Sequence, residues 1–226
     1  EATTTANESK SKLTTTFNLD SRRVHRGVGL GTSPAISAKI NYSITEWLSV
    51  STNPTFVTNV GAGFGSSLEN AVTATKKNLS LSVSDVFFFV GDGSANNDYL
   101  DYSDSTRHLV NATVKYAEKK YYGLVQATVY KSTLDENNGV YFEAGCKVID
   151  NLSFCVGYVT DASTMNFRTE SGLTCIGLST ENKVRISDGF KPVLTTKLSY
   201  NPSYKSVDTW PGVSQNPVQF AVGMSF

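Results

Sequence analysis

Hydrophobic side chains recur at every second position, segment after segment, and that period constrains the fold more than any other feature. In PAISAKINYS, Ile36, Ala38, Ile40 and Tyr42 share one face, opposite Ser37, Lys39 and Asn41. HLVNATVKY sets Val110, Ala112, Val114 and Tyr116 against Asn111, Thr113 and Lys115, and VYFEAGCKV sets Val140, Phe142, Ala144, Cys146 and Val148 against Glu143 and Lys147. The closing PVQFAVGMSF puts Val218, Phe220, Val222, Met224 and Phe226 on alternate positions. Helical periodicity is absent after residues 1–12, a small, polar stretch expected to be a flexible periplasmic tail. Strands are expected at about 12–20, 34–43, 47–56, 68–76, 79–90, 107–117, 121–131, 139–149, 152–160, 172–181, 190–200 and 217–226.

The connections alternate as well. Short links such as Ile44-Thr45-Glu46, Lys77-Asn78 and Asp150-Asn151 follow even-numbered segments, and most of those after odd-numbered segments, such as RRVHRGVGLGTS and GDGSANNDYLDYSDST, are long. An even strand number with short turns at one end and long loops at the other is the layout of an outer-membrane barrel. Residues 13–226 are therefore expected to form an all-β, transmembrane, antiparallel up-and-down barrel of about twelve strands, with short turns and both termini in the periplasm and long loops outside.

Period two does not say which face is inside, since a lipocalin-type barrel has the same period with its apolar face inward. Three features favour lipid outside. The polar face carries Ser, Thr, Asn, Gln and Lys, with many short side chains, where a soluble surface would be richer in Lys and Glu. Aromatics such as Phe17, Tyr42, Trp47, Tyr116, Tyr121 and Tyr200 fall near strand ends, where an interfacial girdle would lie. The last strand ends on Phe226; Phe220, Val222, Met224 and Phe226 are expected to form the signal read by the barrel assembly machinery.

Charged residues make up 18% of the 226, and 20 Lys and Arg balance 20 Asp and Glu, a neutral surface that argues against nucleic acid. The longest apolar run is Val86 to Val90, too short for a transmembrane helix. Three cysteines, Cys146, Cys155 and Cys175, give neither a disulfide framework nor zinc spacing. They read as packed thiols, with one pair open to any two on neighbouring strands.

The stretch FNLDSRRVHRGVGLGTSPAISAKINYSI, residues 17–44, resembles the N-terminal signature of the TorF-like putative porin family, a conserved hypothetical outer-membrane barrel family. Ser21, Arg22, Val24, Arg26, Gly27, Ser33, Pro34, Ala35 and Ile36 match it; Arg23 and His25 stand where that family usually has aromatics. The strand LSLSVSDVFFFV with its acidic, aromatic loop, and the closing VRISDGFKPVLTTKLSYNP…VQFAVGMSF, look alike more diffusely. The resemblance implies a barrel in the bacterial (Gram-negative) outer membrane and, more weakly, a porin.

For chemistry the residues offer little. His25 and His108 are the only histidines and read as hydrogen-bonded rim residues; no serine spacing completes a hydrolase, so no catalytic residue and no enzyme activity are expected. GAGFG and GDG lack the context of phosphate loops, and Asp92, Asp98, Asp101 and Asp104 lack EF-hand order, so neither metal nor cofactor is expected. Arg22, Arg23, Arg26 and Arg107 read as an extracellular basic rim, suited to lipopolysaccharide phosphates or to pairing with Asp20, Asp101 and Asp104. Lys39, Lys115, Glu143, Lys147, Lys191 and Lys197, with Asp20, are expected to face the lumen, which gives five positive charges against two negative. The expected function is a narrow porin for passive passage of small solutes, with a structural or accessory subunit of a larger outer-membrane complex as the alternative. Expected partners are outer-membrane lipid, lipopolysaccharide, the assembly machinery and, as a further class, other outer-membrane proteins.

Overall fold

The computed structural model describes residues 12–31, 33–58, 66–89, 98–102, 107–131, 139–207 and 213–226. Its strands, in chain order, are β1 (Leu13–Asp20), β2 (Arg23–His25), β3 (Val28–Leu30), β4 (Ala35–Ser43), β5 (Leu48–Val57), β6 (Ser66–Lys76), β7 (Leu79–Phe89) and β8 (His108–Ala117). There follow β9 (Tyr121–Lys131), β10 (Tyr141–Ile149), β11 (Leu152–Val159), β12 (Gly172–Lys183), β13 (Val193–Tyr200), β14 (Val213–Ser214) and β15 (Val218–Ser225). Twelve of these, all but β2, β3 and β14, form one closed antiparallel barrel in which each strand pairs with its barrel neighbours in the chain and β1 closes on β15. The closure runs through Asn18–Ser225, Leu19–Met224 and Asp20–Gly223. Phe226 exchanges both backbone hydrogen bonds with Phe17, and their rings stack 6.2 Å apart.

The apolar face is outside. Leu13, Phe17, Ile36, Ile40, Val72, Leu79, Leu81, Val83, Val114, Phe142, Leu178, Leu198 and Phe220 are all exposed, although each belongs to the hydrophobic half of its strand. Several polar residues of the other half are buried, among them Ser67, Ser84, Asn111, Gln126, Ser199 and Gln219. That inversion of a soluble protein's rule is what hydrocarbon selects, and closure leaves no unpaired strand edge in it. Among the described residues no helix is long and apolar enough to cross a membrane.

The remaining strands form a small sheet of their own, in the order β14-β3-β2. It sits inside the barrel. Val28 and Leu30 of β3 pack with the inward Val86, Phe88 and Leu109 of the wall, and with Met165, Phe167 and Val207 of two other loops. Gly31 rests on Val57, Gly29 on Gln219, and Gly27 on Thr174 and Cys175, so the segment touches the wall on several sides. These contacts lie in the long-loop halves of the strands.

Candidate functional site

The lumen has two unlike halves. Toward the short-turn end, Lys39, Lys115, Lys147 and Lys197 occupy lumen-facing positions of β4, β8, β10 and β13, and all four are exposed. Ser and Thr residues of the same register, such as Thr16, Ser80, Ser82 and Thr195, continue this polar vestibule. Lys191 departs from the expectation: β13 begins at Val193, so Lys191 lies in the exposed turn before the wall starts.

Toward the long-loop end the lumen is filled by residues 21–31 and their partners. Arg23 and Arg26, expected on the outer rim, are turned inward with this segment; Arg22 and Arg107 are half-buried at its entrance. The reversal is made at Arg26 and Gly27, which both hold left-handed backbone, with φ of 49° and 81°. A Cβ at position 27 would collide with the Thr174 carbonyl oxygen, so the turn presses glycine directly onto β12.

Arg26 anchors the plug. Its guanidinium donates to Asn166 Oδ1 and to Gln126 Oε1, and its centre lies 3.8 Å from the Tyr141 ring centroid. The Tyr141 hydroxyl donates to Glu143 at 2.5 Å and the Tyr122 hydroxyl donates to the other Glu143 oxygen at 2.8 Å. Glu143 thus faces the lumen but is held by two tyrosines. Burial pushes the Arg26 pKa down to about 10, partly offset by Tyr141, Glu143 and Glu69, and burial likewise lowers Arg23 to about 10 beside Glu69. Both stay charged at neutral pH. His25 lies edge-on to Phe167, with centroids 6.2 Å apart. Burial, then the Arg26 and Arg23 charges, holds its imidazole well below the ordinary range, so it is neutral. Arg23, His25, Arg26, Asn53, Glu69 and Gln126 help line a cavity of about 120 Å³ between plug and wall.

A second polar cluster lies on the outer wall. Asp85 and His108 occupy outward positions of β7 and β8. His108 Nδ1 is 2.9 Å from Asp85 Oδ1, and its Nε2 is 2.9 Å from the Tyr99 carbonyl oxygen. The Tyr99 and Tyr102 hydroxyls both donate to Asp85 Oδ2 at 2.9 Å, Asn70 donates to Tyr99 Oη at 2.7 Å, and Tyr130 donates to the Tyr102 carbonyl at 2.6 Å. Tyr102 stacks on His108 with centroids 3.9 Å apart. Residues 98–102 therefore form a strap against the outside of the barrel, covering Phe87. Beside it runs an apolar groove of about 530 Å³ lined by Ile40, Tyr42, Val50, Val72, Val83 and Val110, with Asn70 and Asp85 at its edge.

The sequence reading missed Glu69, Gln126, Tyr141 and Asn166, whose importance comes only from the infolding. Asp85 did carry a signal: it interrupts the outward series Leu79, Leu81, Val83, Phe87 and Phe89. Asp92 and Asp104 lie outside the described residues, and among those described no group of three His, Cys, Asp or Glu could hold a metal ion.

No family model matches the chain. No curated protein matches it. Among solved structures it is similar to "OmpT (in-vitro folded), an outer membrane protein of Vibrio cholerae", at 10% identity over 95% of this chain and 96% of that one, with a TM-score of 0.34. At that score the likeness carries no argument, and the barrel stands on its own strand pairing.

Proposed function

We propose that the protein is a barrel of the bacterial outer membrane that passes small polar solutes through a lumen gated by residues 21–31, with the short turns in the periplasm and the long loops outside. One observation carries the reading: an exposed, lysine-lined vestibule ends against a plug that packs on the wall through Val28 and Leu30 and is anchored by polar contacts around Arg26. Four lumen lysines give the path a preference for anions. The resemblance of residues 17–44 to TorF-like putative porins supports the same reading, and its matching Arg26 and Gly27 are the plug's turn. We read the protein as non-enzymatic: both ring nitrogens of His108 are engaged, by Asp85 and by a backbone carbonyl. Lipid against the outer wall, lipopolysaccharide at Arg22 and Arg107, and the assembly machinery at Phe220 to Phe226 are the partners this reading implies.

Planar-bilayer recording tests it. Wild-type protein is expected to give rare, small openings, and Arg26→Ala frequent or larger ones, with anions favoured. Silence from both proteins, each shown to be folded, overturns the reading. It would leave the accessory-subunit alternative, which the outward Asp85–His108 strap favours as a surface unlike plain lipid-facing wall. Gentle extraction that recovers a stable complex would support that alternative.

A further inference from the structure

We propose that Cys155 and Cys175 are a redox pair that closes to a disulfide inside the barrel wall, at the seat of the plug. Cys155 of β11 pairs with Gly177 of β12, and Cys175 of β12 pairs with Gly157 of β11. Each cysteine thus faces a glycine across the strand boundary, and the space those glycines leave is shared by the two thiols. Both sulfurs lie near the point a Cβ on Gly177 would occupy, at 2.8 Å for Cys155 and 3.3 Å for Cys175. Both cysteines lie on the lumen side of the wall. Cys146 is exposed on the lipid side, opposite Phe154 and Tyr121, and cannot reach either of them. All three thiols are free in this structure.

Isolated buried thiols are ordinary packing groups. Here position adds to that. The Cys175 Cα is 3.2 Å from where a Cβ on Gly27 would stand, so the plug's turn sits on the residue that would be bridged. Gly157, the partner of Cys175, lies beneath Tyr141, over which Arg26 stacks. A bond between the two sulfurs ties β11 to β12 directly under Arg26 and Gly27. It removes freedom from the seat and holds the plug in place.

The step needs a disulfide oxidant, and the oxidising cell envelope is where such chemistry operates. The Cys155 thiolate attacks the oxidant's disulfide, forming a mixed disulfide and releasing one thiol. The Cys175 thiolate then displaces the second thiol and forms the Cys155–Cys175 bond. Two protons leave the protein's thiols, and two electrons reduce the oxidant to two thiols.

The plug consequence rests on the gated-lumen reading; the bond itself does not, and two readouts separate them. Folded protein is incubated with oxidised glutathione, denatured and treated with maleimide, and its mass and linked peptides are measured. Wild type is expected to retain one reactive thiol, Cys146, and to yield a Cys155–Cys175 peptide that dithiothreitol cleaves. Cys146→Ser should still form the bond, and Cys155→Ser should leave Cys175 free. Three reactive thiols after oxidation, or stable glutathione adducts in place of the linked peptide, would overturn the pair. In the oxidised form, amide exchange over residues 23–30 should slow at least several-fold; an unchanged rate in protein proven to carry the bond overturns the coupling to the plug. A lack of conductance alone counts only against gating.

Discussion

Arg26 holds two side-chain amides and an aromatic face while its own backbone sits at φ 49°. A non-glycine residue keeps that conformation only when its surroundings over-determine it, at a cost of about 1–2 kcal/mol. Hydrogen bonds to a charged group contribute roughly 1.5–3 kcal/mol, so Arg26→Ala should loosen the plug by a few kcal/mol while leaving the barrel closed. Amide exchange over 23–30 should then rise by at least tenfold with the wall strands unaffected. Gly27→Ala should act similarly, because its Cβ meets the Thr174 carbonyl. On the outer wall, Asp85→Asn removes the charge that His108, Tyr99 and Tyr102 surround. The strap should detach, and limited proteolysis near residues 98–102 should become faster in the variant alone.

The plug hairpin, β2 and β3, has a pH dependence of its own. His25 is neutral in the folded plug because its pKa is lowered below 6.5 by burial and by Arg26 and Arg23, with Glu69 the carboxylate lining the same cavity. A lowered folded value means the unfolded or released plug binds the extra proton first. Its contribution is therefore intact above pH 6.5 and is lost as pH falls through the interval below it. Openings in bilayers, or exchange over 23–30, should increase from pH 7 to pH 5, and His25→Gln should flatten that dependence. The barrel strands were legible because alternation is local: each of the twelve expected segments overlaps one wall strand, and even 47–56, 68–76 and 172–181, where alternation is least regular, became β5, β6 and β12. The plug was not legible. RRVHRGVGL reads as a basic loop whether it lies over the mouth or inside it, and only the Val86, Phe88 and Leu109 surface on the far wall decides. The alternation therefore points Arg23 and Arg26 to the rim, and it places Lys191 in the wall although β13 starts only at Val193.

For the whole molecule, closure of β1 on β15 leaves every wall strand with two neighbours, so the barrel should survive detergent and run differently on gels before and after boiling. Shortening the chain by its last two residues removes the Phe17–Phe226 hydrogen bonds and stack, and should lower the temperature of that shift. The strap bears on this scale too. Most of the perimeter offers lipid a coat of aliphatic and aromatic side chains, but the arc over β6 to β9 presents Tyr102 and the hydrogen-bonded Asp85 and His108, with Leu100 projecting beyond them. A cylinder that would otherwise meet its surroundings alike at every azimuth thereby acquires a front and a back, and in a crowded leaflet its neighbours will not be distributed evenly around it.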